Sequence, residues 1–258
     1  MEFGIKIKNI EQLGSVKDKY NFIYFGDECC ERKIPGLSFA QKVFEYCIKK
    51  GKTPVLLSPL VTDSGIKKLR VLIKELYILK EDFELTINDF GVLNLMKEFP
   101  NIKINCGRLL IKMKKGPEIL STVLSKNVET FKANSLTNKL YINFLKNNGV
   151  GRFETDLPEQ GIKLPAKENI TLYLGNVLLS LTRRCPFIDC DQENFTYSIK
   201  DCKKECEDYC VVKNTKFHEK LIFMLGNAEF LKVEIRIDPR LKGKVNRILV
   251  FQGMLDLV

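Results

Sequence analysis

Five cysteines lie close together in the second half of the chain, and their spacing is the clearest indication of chemistry. They are Cys185, Cys190, Cys202, Cys206 and Cys210. The last three recur every four residues in KDCKKECEDYC, a stretch so polar that packing in an apolar core does not explain them. Thiolates are ligands for zinc and for iron–sulfur clusters. The pattern therefore predicts a metal centre in this part of the chain.

Disulfide bonds are a less favoured use of these thiols. The first residues, MEFGIKIKNIEQLG, lack the apolar core of a signal peptide, and no apolar run is long enough to cross a bilayer. We therefore expect a cytoplasmic protein with no membrane span. Reducing compartments keep thiols free, and the 9 cysteines are an odd number in a chain of 258 residues. Free thiols that hold a metal or do chemistry are the better interpretation.

The spacing alone leaves two kinds of metal centre open. Zinc takes four ligands, often in pairs two to four residues apart, and residues four apart lie on one side of a helical turn. An iron–sulfur cluster accepts cysteines from distant segments. Cys47 and Cys106 lie in apolar patterns, where a free cysteine packs as a small hydrophobe, so we expect both to be part of the core.

Polar residues follow several predicted strands, in the short sequences GDECC, NDFG, NCGR, FETD and LTRRC. Carboxylates there could transfer protons, and arginines could bind a carboxylate or phosphate through paired hydrogen bonds. A helix cap, a turn or an ion pair is an equally good explanation for each residue taken singly. The candidate catalytic residues are Asp27, Glu28, Asp89 and Glu154, and the candidate substrate-binding residues are Asn88, Arg108 and Arg183.

The elements that must position these residues alternate between short apolar runs and longer helical patterns. Alternating strands and helices imply βαβ units and a parallel sheet. The predicted strands are 22–26, 53–61, 83–88, 102–107, 169–175, 220–226 and 247–252, the predicted helices are 37–51, 65–80 and 91–100, and 135–157 is predicted to hold a helix and a strand.

The number of units favours an α/β fold, a TIM-like (β/α) barrel forming one domain over residues 1–258. We expect the barrel to be incomplete or irregular toward its C-terminal end, with a cysteine-rich excursion at 183–212. An open doubly wound sheet is the alternative. In a barrel the carboxyl ends of the strands share one face, so Cys29 and Cys30 would lie on the same face as Cys185.

The net charge of +10 comes from 42 Lys and Arg against 32 Asp and Glu. Such an excess can attract nucleic acid or an anionic substrate. The lysines are spread along the chain, however, and the densest patch is LLIKMKKG at 109–116. An ordinary solvated surface is the simpler interpretation of the charge.

The order of several motifs resembles that of the U32 family of collagenase-like peptidases. The motifs are IYFGDECCERKIPG at 23–36, INDFGVLNL at 87–95, NCGRLLIKMKKGP at 105–117, RRCPF at 183–187 and DCKKEC at 201–206. The resemblance runs over most of the chain in scattered motifs. It is closest to the short stand-alone members and to the anaerobic ubiquinone-biosynthesis accessory proteins.

The resemblance implies a 4Fe–4S cluster beside the mouth of a barrel, with zinc as the alternative. Carried over by position, the ligands would be Cys30, Cys185, Cys202 and Cys206. Cys29, Cys190 and Cys210 are then surplus. Because Cys210 repeats the spacing between Cys202 and Cys206, either neighbouring pair of these three could supply the last two ligands.

The resemblance also implies oxygen-independent hydroxylation of RNA or of a small aromatic or anionic substrate, by an enzyme or by an accessory subunit with a partner subunit of the same family. A peptidase, and a noncatalytic protein whose metal braces an interaction surface, are the alternatives. The chain has a single histidine, His218, in the polar stretch NTKFHEK, where a surface position is expected. It has no HExxH motif, and GNVLL and GNAEF lack the glycine patterns that bind phosphates.

Overall fold

The computed structural model describes residues 1–120, 125–188, 190, 202–213, 222–234, 241 and 243–251. The first two thirds of the chain form a run of parallel strands, each paired with the next along the chain. These strands are β1 Glu2–Lys6, β2 Phe22–Gly26, β3 Thr53–Leu57, β4 Glu84–Ile87, β5 Lys103–Cys106, β6 Val150–Asp156 and β7 Ile170–Tyr173.

An antiparallel sheet interrupts this pattern after β7. Its strands, in spatial order β8-β11-β10-β9, are β8 Asn176–Leu181, β9 Val211–Lys213, β10 Ile222–Leu225 and β11 Ala228–Lys232. The chain then returns as β12 Arg247–Phe251, which pairs in parallel with both β7 and β1. Eight parallel strands therefore close a barrel, which confirms the predicted TIM-like fold.

The α-helices lie in the connections from β2 to β6, on the outside of the barrel. Among the described residues they are α1 Leu37–Lys50, α2 Asp63–Leu79, α3 Phe90–Leu95, α4 Val128–Phe131 and α5 Lys139–Asn147. Helix α1 ends at Gly51, whose φ of 62° is easy only for glycine. Helices α2 and α5 begin where the side chains of Thr62 and Asn138 accept main-chain N–H groups. No helix in the described parts of the chain is long and apolar enough to cross a membrane.

The predicted irregularity lies in the insertion before the last strand, since the barrel itself is closed. The predicted strand at 220–226 exists as β10 but belongs to the antiparallel sheet, where it pairs with β9 and β11. β1 was not predicted, although it pairs with both β2 and β12. Apolar and polar residues alternate too weakly along its five residues to identify a strand without its neighbouring strands.

The antiparallel sheet packs against the carboxyl end of the barrel. One apolar cluster joins inward-facing barrel side chains with side chains of the sheet. Phe223 and Phe230 stack with their ring centres 5.6 Å apart, and the Tyr173 and Phe251 rings are 5.8 Å apart. The end of the barrel at which (β/α) barrel enzymes usually bind their substrates is therefore covered in this protein.

Candidate functional site

Cys30 lies in a tight loop directly after β2. The Asp27 carboxylate accepts the main-chain N–H groups of Cys29 and Cys30 at 2.7 and 2.8 Å, which shapes the loop. Gly26 precedes it with φ 96°, and a Cβ at this position would lie 2.7 Å from the carbonyl oxygen of Leu57. Burial raises the pKa of the half-buried Cys30 thiol, and main-chain N–H groups of the following residues donate to its sulfur and oppose that rise.

Cys185 lies after β8, in the loop that begins the long insertion. The pKa of its thiol is raised to about 11, chiefly by burial, while the N–H of Phe187 donates to the sulfur and acts in the opposite direction. The remaining contributions raise this pKa and come from three nearby sulfurs, those of Cys206, Cys30 and Cys202. Cys185 thus lies within electrostatic range of three cysteines that come from distant parts of the chain.

Cys202 lies just before a single 3-10 turn, Glu205–Glu207, which contains Cys206. The N–H of Lys204 donates to the Cys202 sulfur at 3.3 Å, and Lys204 has φ 69°, which is uncommon for a residue other than glycine. The Lys33 ammonium group donates to the Cys206 sulfur. Within the described parts of the chain, no three Cys, His, Asp or Glu side chains are arranged to hold a single metal ion.

The remaining cysteines fall into two groups. Cys47 and Cys106 are buried in the main core, and burial raises the pKa of both thiols. Cys29 is also buried, beneath the antiparallel sheet, whereas Cys190 and Cys210 are exposed. The positions of Cys47 and Cys106 are those expected of core residues.

Glu28 and Arg108, both predicted site residues, meet in the covered end of the barrel. The Arg108 guanidinium donates to both Glu28 oxygens, at 2.8 and 3.2 Å, and to Asp156 at 2.6 Å. It also donates to the carbonyl oxygen of Asn176 and lies 4.5 Å from the Tyr173 ring centre. All three charged side chains are buried, so this network holds the sheet on the barrel with its charges paired.

Glu154 lies deeper, in the middle of the barrel. Its carboxylate accepts the hydroxyl of Tyr24 at 2.8 Å and that of Tyr173 at 2.7 Å. Burial raises its pKa to about 7, although the two tyrosine hydrogen bonds act in the opposite direction. Below it, Arg247 pairs with Glu84 through two hydrogen bonds of 2.6 and 2.9 Å. Glu154 therefore belongs to the packed interior, two residues before the end of β6.

We expect Glu154→Gln to flatten the pH dependence of stability between about pH 4.5 and 7.5. A buried acid with a raised pKa holds its proton longer in the folded state, so its stabilising contribution is complete at low pH and is lost as pH rises through the folded pKa. Urea denaturation across this window should show the wild type losing on the order of 1–3 kcal/mol relative to the variant. Parallel curves for the two proteins would show that Glu154 does not titrate in this range.

Asn88, Asp89 and Arg183 make the kind of contact that supports local structure. Asn88 donates to the carbonyl oxygen of Ser58 at 2.9 Å and accepts the N–H of Leu109 at 3.1 Å, which ties together the ends of three strands. Asp89 caps α3 by accepting the N–H of Gly91 at 2.6 Å. Arg183 is exposed at the rim, and its guanidinium lies 3.4 Å from the carbonyl oxygen of Val61.

We expect Gly107→Ala to lower the free energy of unfolding by about 1–3 kcal/mol. The added methyl group would lie 2.3 Å from the side-chain oxygen of Asn88, which two main-chain hydrogen bonds hold in place. Gly151→Ala is the matched control, because its Cβ meets no atom within 4 Å. Urea denaturation of both variants measures the difference, and equal stabilities would mean that Asn88 can move away without cost.

Several residues of these networks were not predicted, including Tyr24, Asp156, Tyr173 and Arg247. Two of them were visible in quoted motifs, Tyr24 in IYFG and Asp156 in FETD. Because side chains alternate between the two faces of a strand, the pattern along β2 and β6 could have identified Tyr24 and Glu154 as facing the interior of the barrel. Their partners come from other strands, however, and a single sequence does not reveal those pairings.

No protein-family model matches the chain, and no curated protein matches it. Among solved structures, one described as a U32 peptidase superposes with a TM-score of 0.50 at 10% identity, covering 98% of this chain and 92% of that one. An endo-1,4-beta-xylanase from Caldicellulosiruptor owensensis has a TM-score of 0.41 at 10% identity, covering 97% and 84%. A variant protein bound to xylotriose has a TM-score of 0.37 at 10% identity, covering 80% and 76%. The first of these shows that the chain shares the barrel fold of a U32 peptidase.

Proposed function

We propose that this protein holds a 4Fe–4S cluster on Cys30, Cys185, Cys202 and Cys206, and that it serves oxygen-independent hydroxylation as an enzyme or an accessory subunit. The observation that carries the proposal is the position of Cys185, whose pKa is raised first by burial and then by the nearby sulfurs of Cys206, Cys30 and Cys202. These are the same cysteines that the motif order selects. The fold shared with a U32 peptidase supports the same assignment.

Hydrogen-bond donors contact the four sulfurs and oppose the effect of burial on them. Main-chain N–H groups donate to the sulfurs of Cys30, Cys185 and Cys202, and the Lys33 ammonium group donates to Cys206. Hydrogen bonds to the sulfurs and nearby charge are among the factors that set the potential of an iron–sulfur cluster. A bound cluster would supply electron transfer, while the chain would supply the ligands and these donors.

The covered end of the barrel favours a substrate that binds outside it. The carboxyl end is filled by the ion pairs of Arg108 and covered by the antiparallel sheet, so a substrate would approach the cysteine-bearing rim from solvent. Arg183 is exposed there, two residues before Cys185, and could pair with a phosphate of RNA or another anionic group. A partner subunit of the same family would bind at the same rim.

Anaerobic purification with metal analysis tests the proposal. We expect a brown protein with broad absorption at about 400 nm, which contains about four iron and about four acid-labile sulfide atoms per chain. A colourless protein with one zinc per chain would favour a structural metal instead. Casein hydrolysis that persists after iron chelation would favour the peptidase alternative.

A further inference from the structure

The turn between β10 and β11 contacts each of the segments that carry the predicted ligands. The side-chain amide nitrogen of Asn227 donates to the carbonyl oxygen of Cys29 and to that of Thr182, both at 2.7 Å. The main-chain carbonyl oxygen of Asn227 accepts the N–H of Thr182 at 2.9 Å. Next to it, a Cβ on Gly226 would lie 3.4 Å from the Cys206 sulfur.

We propose that Asn227 is a positioning residue that holds the Cys30 loop and the Cys185 loop at a set separation. The inference rests on the proposed function for its purpose, since it assigns these loops to one cluster. Cys29 directly precedes Cys30, and Thr182 lies three residues before Cys185. One planar amide group therefore links the main chains of two ligand-bearing loops.

The amide group suits this role because it has two N–H hydrogens on one nitrogen. Each can be directed to a different carbonyl oxygen, which fixes the distance between the two carbonyls. Asn227 is only 7% exposed, so water competes little for these hydrogen bonds. Losing the donors would leave two carbonyl oxygens without this partner, and the two loops would no longer be held together by a side chain.

The turn is itself held firmly. The strands on either side carry Phe223 and Phe230, which stack on each other and pack in the apolar cluster that covers the barrel. Gly226 has φ 59°, a conformation that glycine adopts at little cost, and its missing side chain leaves room for Cys206. The sequence GNAEF, which has no phosphate-binding pattern, thus has a different use as a support for the thiols.

Cross-linking of the metal-free protein tests the inference without requiring iron. A short bismaleimide should link Cys30 to Cys185 in the wild type, and peptide mass spectrometry would identify this pair among the other thiols. Asn227→Asp keeps the shape of the side chain but replaces the N–H donors with a carboxylate oxygen. We expect the yield of the Cys30–Cys185 link to fall about fivefold or more. Loss of such hydrogen bonds lowers the population of the conformation in which the two loops are close by about this factor.

Asn169→Asp is the matched control, because Asn169 also donates to a main-chain carbonyl, that of Gly151 at 3.0 Å, but at the opposite end of the barrel. Asn227→Ala removes the donors without adding a charge, and it gives the same measurement if the aspartate variant does not fold. Unchanged cross-linking in a folded Asn227 variant would overturn the inference.

Reconstitution with iron and sulfide separates this inference from the proposed function. We expect the Asn227 variants to take up less cluster, or to show altered electron paramagnetic resonance of the reduced cluster, while their circular dichroism matches that of Asn169→Asp. If the wild type takes up no cluster, the proposed function is wrong, and the cross-linking result still decides the role of Asn227. If the wild type and the variants have identical clusters and cross-links, only the role of Asn227 is wrong.

Discussion

Cys30→Ala is expected to abolish the iron–sulfur cluster while leaving the barrel folded. A cluster with four thiolate ligands loses a bond to iron when one of them is replaced by a methyl group. The Cys30 side chain lies half-buried in a loop at the rim, so its loss removes little from the core. The anaerobically purified variant should lose almost all of its iron, its acid-labile sulfide and its absorption at about 400 nm.

Cys47→Ala is the matched control for this loss. Cys47 is buried in helix α1 within the main core, so its replacement should lower stability and leave the iron content unchanged. Cys185→Ala, Cys202→Ala and Cys206→Ala should each behave like Cys30→Ala. Full iron in Cys30→Ala would contradict the role of the loop after β2 as a ligand segment.

Cys210→Ala distinguishes between the two possible pairs in the late segment. Cys210 is exposed at the end of the segment, whereas Cys202 and Cys206 are half-buried and near enough to Cys185 to add to the effect of burial on its pKa. We therefore expect Cys210→Ala to keep its iron. Loss of iron in Cys210→Ala together with full iron in Cys202→Ala would move the ligand pair by four residues.

Arg108→Met is expected to lower the free energy of unfolding by about 3–5 kcal/mol, because it leaves buried charges without their partner. Arg108 binds Glu28 and Asp156 with all three side chains about 1% exposed. Burial acts to raise the pKa of Asp156, but Lys115 and Arg108 keep it below its usual range. Urea denaturation of the metal-free protein measures the loss.

Arg70→Met is the matched control, since it breaks an Arg–Glu pair of similar geometry on the surface. Arg70 and Glu98 are 45% and 48% exposed, with a closest distance of 3.0 Å, and such pairs contribute about 0–1 kcal/mol. Adding Glu28→Gln and Asp156→Asn to Arg108→Met should recover part of the lost stability, because the unpaired charges are then removed. Equal losses in Arg108→Met and Arg70→Met would show that the barrel network is not stabilised by its charge pairing.

The barrel was predictable from the sequence largely because its strands and helices are marked by local patterns. The run FIYFG followed by LSFAQKVFEYCIKKG matches β2 and α1 nearly residue for residue. The strand at 220–226 was predicted, but its place in a separate antiparallel sheet was not. Its pairing with β9 and β11 depends on contacts that hydrophobic periodicity and composition do not reveal. The hydrogen bond from Asn227 to Cys29 joins residues 198 apart in the sequence, so no local sequence pattern predicts it.

Residue types and spacing alone predicted an α/β barrel, which the structure confirms, and they placed five of the nine cysteines within residues 185–210. These properties are local, since they depend on hydrophobic period, turn residues and the chemistry of individual side chains. Only the tertiary structure decided that Arg108 and Glu28 are paired inside the barrel, that the barrel mouth is covered, and that Asn227 joins the main chains of Cys29 and Thr182. Those properties depend on contacts between segments that are far apart in the sequence. A polar side chain that becomes buried by such contacts needs hydrogen-bond or charge partners, and those partners hold it in place.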